Sequence, residues 1–81
     1  MIEAAQIRAA RALLDMSQAE LARIASLSVA TVKRIESAGA IRGTADSVWK
    51  IESALENLGI EFLPAGDGRG PGVRLKSAEK S

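Results

Sequence analysis

Residues 17–36, SQAELARIASLSVATVKRIE, leave this chain few ways to fold. Ser17 and Glu20 carry the S-x-x-E spacing of a capping box, which predicts a helix starting at Gln18. Leu21, Ala22, Ile24 and Ala25 give that helix a narrow apolar face. Ser26-Leu27-Ser28 breaks the pattern, and Ser28 is an N-cap for a second helix. There Val29, Val32, Ile35 and Glu36 fall on one side at helical spacing, and Ala30, Lys33, Arg34 and Ser37 on the other. Two short helices follow each other through a tight turn. The second has an apolar back and a small, polar and basic front. A helix of that width fits the major groove of double-stranded DNA.

The same residues resemble the helix-turn-helix of the phage-repressor (Cro-repressor, XRE) family. The likeness rests on the SQAELA opening, the small Ala22, the inward Val32 and the RIE ending. It spans about residues 4–58. It departs from the family at Ser26, where a left-handed turn normally carries Gly, since a side chain there costs roughly 1 kcal/mol. The resemblance implies a lambda-repressor-like, all-α bundle of four helices; the residues after it read as a short C-terminal β-strand or hairpin tail, where family relatives often have a fifth helix.

The helical part is expected over residues 1–58, as the DNA-binding domain. Helix 1 should run over about 3–14 with Ile7, Ala10, Leu13 and Leu14 as its core stripe. Arg8 reads as a solvated surface charge. Arg11 resembles the family's buried arginine, which pairs with a glutamate late in the recognition helix; Glu36 already points inward by phase, so an Arg11–Glu36 ion pair is expected. Helix 2 should cover 18–25 and helix 3 about 29–38. Residues 37–43 read as a loop, with Ile41 anchoring back to the core. Thr44 caps a fourth helix over 45–57, where Val48, Ile51, Leu55 and Leu58 share a face. Trp49 is one residue off that stripe and covers either the core edge or a partner subunit.

By resemblance, Ser28, Val29, Ala30, Lys33 and Arg34 face the bases. Arg34 is the strongest candidate, because a guanidinium pairs bidentately with guanine O6 and N7. Gln18, Arg23, Ser37, Arg42 and Thr44 are the expected phosphate contacts. For Gln18 the plainer reading is an exposed polar side chain, and for Arg23 a solvated charge.

Gly59 ends the fourth helix. Ile60 to Leu63 and Gly72 to Leu75 alternate as short strands around a Gly- and Pro-rich loop, so 59–75 form a β-type tail. A lone hairpin is marginal in water. Either the hairpin packs on the helices or it pairs with the same element of another copy; the favoured expectation is strand pairing between subunits at 60–63, with Trp49, Ile60, Phe62 and Leu63 as dimerisation residues. Residues 76–81 are expected to be disordered.

Composition narrows the function. Eighty-one residues make one small domain whose core supplies only a few kcal/mol, which favours a homodimer. With no Cys and no His, thiolate sites and the commonest acid–base group are excluded. The glycines at 66, 68, 70 and 72 have no helix after them, so they are no phosphate loop. No enzyme, metal or cofactor is expected. No apolar run approaches a membrane span and no signal peptide is visible, so a cytoplasmic protein of bacterial or phage type is expected. The net charge of +1 is low for a DNA binder, so few phosphate contacts per subunit are expected. The leading reading is a homodimeric transcriptional repressor on a palindromic operator. The alternative is an antitoxin or adaptor whose main partner is another protein, such as a toxin or an antirepressor.

Overall fold

The computed structural model describes residues 1–37 and 44–77. Four helices and one hairpin follow in order: α1 (Ala4–Leu14), α2 (Gln18–Ala25), α3 (Val29–Ser37), α4 (Ala45–Asn57), β1 (Ile60–Leu63) and β2 (Gly72–Leu75). Ala38, Ile41 and Arg42 lie outside the described residues, and with them most of the 37–43 loop.

Local chemistry sets the helix ends. Ser17 Oγ accepts the Glu20 N–H at 3.0 Å, and Glu20 Oε1 accepts the Ser17 N–H at 2.9 Å, closing the capping box of α2. Ser28 Oγ accepts the Thr31 N–H at the start of α3, and Thr44 Oγ1 accepts the Ser47 N–H at the start of α4. Both α1 and α2 stop at a left-handed residue, Asp15 (φ 54°) and Ser26 (φ 58°). Ser26 thus takes the backbone shape that favours glycine.

Ile7, Leu21, Val32, Ile35, Val48, Ile51, Leu55 and Ile60 are fully buried and form the centre where the helices converge. Each is a branched aliphatic on the inner stripe of its element. Ile2 and Ala4 extend this core at the N-terminus. Two expected core positions are corrected. Leu13 is 47% exposed: successive helical residues turn by about 100°, so an arc holding Ile7, Ala10 and Leu14 leaves Leu13 off its edge. Leu58 is also 47% exposed. The chain reverses at Gly59 (φ 99°), and Ile60 fills the inner place instead.

The hairpin is built within the chain. β1 and β2 are antiparallel, with Ile60 opposite Leu75, Glu61 opposite Arg74, Phe62 opposite Val73 and Leu63 opposite Gly72. Phe62 and Val73 pack on the core, while Glu61 and Arg74 form an ion pair of 2.9 Å. The expected pairing of 60–63 between subunits would use the opposite edge of β1, and Ile60 is buried within its own subunit. β1 meets β2 of its own chain. The turn explains why: Asp67 (φ 55°) and Gly68 (φ 74°) are both left-handed, and Gly66 and Arg69 exchange two 2.9 Å backbone bonds. That is the two-residue turn that matches strand twist. Lys76, expected in the disordered end, donates its backbone N–H to Gly59 O at 2.7 Å and its Nζ to Glu56 O at 3.2 Å.

Gln6 fastens the hairpin to α1. It is buried, and its Nε2 donates to Leu63 O at 3.2 Å and to Gly72 O at 2.9 Å. Its Oε1 accepts the Glu3 N–H at 2.7 Å. Both amide hydrogens and the carbonyl are therefore used, as burial of an amide demands.

Candidate nucleic-acid interface

α3 has two faces of opposite character. Val32, Ile35 and Glu36 are buried; Val29, Ala30, Lys33 and Arg34 are exposed. Ala30, Lys33 and Arg34 share the outer side of the helix at three- and four-residue intervals. Val29, expected on the apolar side, is corrected: in the first turn of α3 it falls between Glu36 and Lys33, at the boundary of the two faces, and is exposed. Ser28 adjoins them, its hydroxyl committed to the cap and to a 2.9 Å bond with Thr31 Oγ1. Among the described residues, neither Lys33 nor Arg34 makes an ion pair. Their charges face outward without a carboxylate to neutralise them.

The inner face is held by a network centred on Glu36. Arg11 Nε donates to Glu36 Oε2 at 2.8 Å and Arg11 Nη2 to Oε1 at 2.9 Å, a side-on bidentate pair. The third donor of the fork, Nη1, reaches Met16 O at 2.9 Å. Bonding to Glu36 raises the Arg11 guanidinium above its ordinary pKa against a smaller opposing effect of burial. Gln18 Nε2 adds a 3.0 Å bond to Glu36 Oε1, tying the first turn of α2 to the last turn of α3. Arg8 Nη1 donates to the Glu36 carbonyl. Arg8 therefore does more than carry a solvated charge: it satisfies a terminal carbonyl of α3 at the negative end of the helix dipole. α3 thus turns an exposed basic face outward while its inner face is bonded to α1 and α2.

A family model described as helix-turn-helix matches residues 7–63. The match takes in most of α1, all of α2 to α4, and β1. The chain belongs to the helix-turn-helix family, of phage-repressor (Cro/XRE) type. No curated protein matches it. As a helix-turn-helix protein it is a DNA-binding transcription regulator, in a family that is not enzymatic. Among its described residues no helix is long and apolar enough to cross a membrane.

The remaining candidate residues of the helix-turn-helix protein divide into exposed and engaged groups. Arg23 is exposed on α2. Ser37 is exposed at the end of α3, its Oγ donating to Arg34 O at 3.1 Å. Thr44 is exposed too, but its hydroxyl is occupied by the α4 cap and a 3.0 Å bond to Ser47 Oγ. Gln18 is half-buried and engaged with Glu36. Arg42 lies outside the described residues. Two functional positions escaped sequence reasoning, Gln6 and the anchoring role of Arg8. A signal existed for both. Glu3 and Gln6 have the three-residue spacing of a capping box, and Arg8 lies one turn before Arg11 on the same helix.

Proposed function

We propose that this regulator is a homodimeric repressor that reads an inverted repeat, with α3 of each subunit in the major groove. The observation that carries the reading is the exposed, unneutralised outer face of α3 set against an inner face locked through Glu36. Arg34 pairs with a guanine, Lys33 reaches a base or phosphate, and Val29 and Ala30 meet thymine methyl groups. Ser28 borders the same groove. Gln18, Arg23, Ser37, Arg42 and Thr44 meet phosphates. An amide has two donor hydrogens, so the Gln18 bond to Glu36 leaves one for a phosphate oxygen at the start of α2.

Subunit size supports the two-fold arrangement. The chain measures 33 × 31 × 18 Å, close to the roughly 34 Å between successive major grooves on one side of the duplex. A subunit of that width leaves room for one copy on each of two successive major grooves. Occlusion of a promoter is the simplest action for a protein of this size.

Selection of bound sequences from random duplex DNA tests the proposal. The expected product is an inverted repeat whose half-sites lie about ten base pairs apart. Enrichment of a single asymmetric half-site overturns the dimeric reading. Absence of any enrichment overturns sequence-specific recognition.

A further inference from the structure

Resting on the homodimer reading, we infer that the outward side of α4, centred on Trp49, is a self-complementary surface for a second copy of this chain, with the two α4 helices antiparallel across the two-fold axis. Trp49 is 63% exposed, although it is the chain's single Trp and stands beside the core stripe of α4. Next to it a groove of about 220 Å³ opens between α2 and α4, lined by Ile24, Trp49, Lys50, Ser53 and Ala54 among others. A projecting indole beside an open groove is the knob-and-hole pairing that an isologous interface requires, since each copy must offer both halves.

Charge selects the orientation. Asp46 and Lys50 stand one turn apart on α4 with a 3.4 Å ion pair between them, both reachable by solvent. They lie two residues either side of Val48. Antiparallel helices crossing at the level of Val48 bring Asp46 of each copy opposite the partner's Lys50, whereas parallel helices bring like charges together. Helical side chains lean toward their own N-terminus. In the antiparallel pair that lean carries the partner's Trp49 toward Lys50 and Ser53, at the mouth of the groove. A buried Trp contributes about 150–250 Å², well short of the roughly 800 Å² per partner of a stable interface. The dimer on this surface is accordingly weak alone and tightened on DNA carrying both half-sites.

Charge exchange between two full-length variants tests this. Asp46→Lys makes both members of this pair basic, and Lys50→Asp makes both acidic. Each variant alone should dimerise about tenfold more weakly or worse in sedimentation equilibrium, and bind an inverted repeat with less cooperativity. An equal mixture should recover the wild-type constant through heterodimers. Loss of the pair within α4 affects both variants and is not repaired by mixing, so recovery isolates the contact between copies. If either variant dimerises as tightly as wild type, or the mixture is no tighter than its components, this surface is wrong. If wild type is dimeric while the mixture shows no recovery, the homodimer stands and this surface falls. A wild type that is monomeric both alone and on its selected duplex overturns the homodimer reading itself.

Discussion

Arg11 and Glu36 meet side-on across 25 residues of chain, through bonds of 2.8 and 2.9 Å that join α1 to the last turn of α3. The pair is asymmetric in burial. The Glu36 side chain is 3% exposed and that of Arg11 21%. Removing the arginine strands the more deeply buried charge. Both Arg11→Met and Glu36→Ala should lose about 3–5 kcal/mol, with Arg11→Met at the upper end. Urea denaturation of the two variants checks the order. A Glu36→Ala protein as stable as wild type would show that the pair does not hold α3 in place.

Arg34 tests the outer face without disturbing that anchor. It is exposed, so Arg34→Ala should leave the unfolding midpoint within about 0.5 kcal/mol of wild type. Specificity at one base pair should fall by about 1–3 kcal/mol in the selected sites. Lys33→Ala should instead weaken all sequences more evenly if it touches phosphate, and lower the salt slope by about one. Selection and salt titration on each variant separate the two roles.

Most of this was readable from residues 17–36, because caps and periodicity are local. Ser17, Glu20, Ser28 and Thr44 declare helix starts within four residues, and Glu36 betrays itself as a charge on an apolar stripe. What could not be read depends on where distant elements come to rest. Leu13 was legible as the odd member of its stripe, since Ile7, Ala10 and Leu14 already define the arc; Leu58 was not, because only the reversal at Gly59 shows that Ile60 takes its place. The hairpin lay between. Asp67-Gly68 is a strong two-residue turn signal hidden inside a Gly-rich stretch. Gln6 reaching two strand carbonyls 57 and 66 residues away has no local signature beyond its spacing from Glu3. The exposed side of α3 was legible as a face; which base each side chain meets is a property of the complex.

Acid should loosen the start of α2. The Ser17 backbone N–H, and then its hydroxyl, hold the Glu20 carboxyl below its ordinary pKa of 4.5. A carboxyl depressed in the fold adds stability above its unfolded pKa and loses it as pH falls through the lower, folded value. The same sign holds for Glu61, depressed by its bond to Arg74 on the hairpin. NMR titration should place the Glu20 midpoint below 4.5, and Glu20→Gln should remove that part of the acid sensitivity. A midpoint at or above 4.5 would mean the capping box is not formed in solution.

Replacing Ser26 by glycine should stabilise the protein. Its φ of 58° is left-handed, and it ends α2 with its own N–H bonded to Arg23 O at 3.2 Å. Glycine keeps that backbone bond and removes the Cβ clash, a gain of about 1 kcal/mol, partly offset by the looser unfolded chain. A full ~1 kcal/mol corresponds to about 4–8 °C in Tm for a domain of this size, so the net rise should fall below that range. Ser26→Val should do the opposite, since a β-branched side chain tolerates positive φ least. Thermal unfolding of the two variants gives the sign directly. An unchanged or lower Tm for Ser26→Gly would show that the left-handed backbone of Ser26 costs no more than the added freedom of glycine in the unfolded chain.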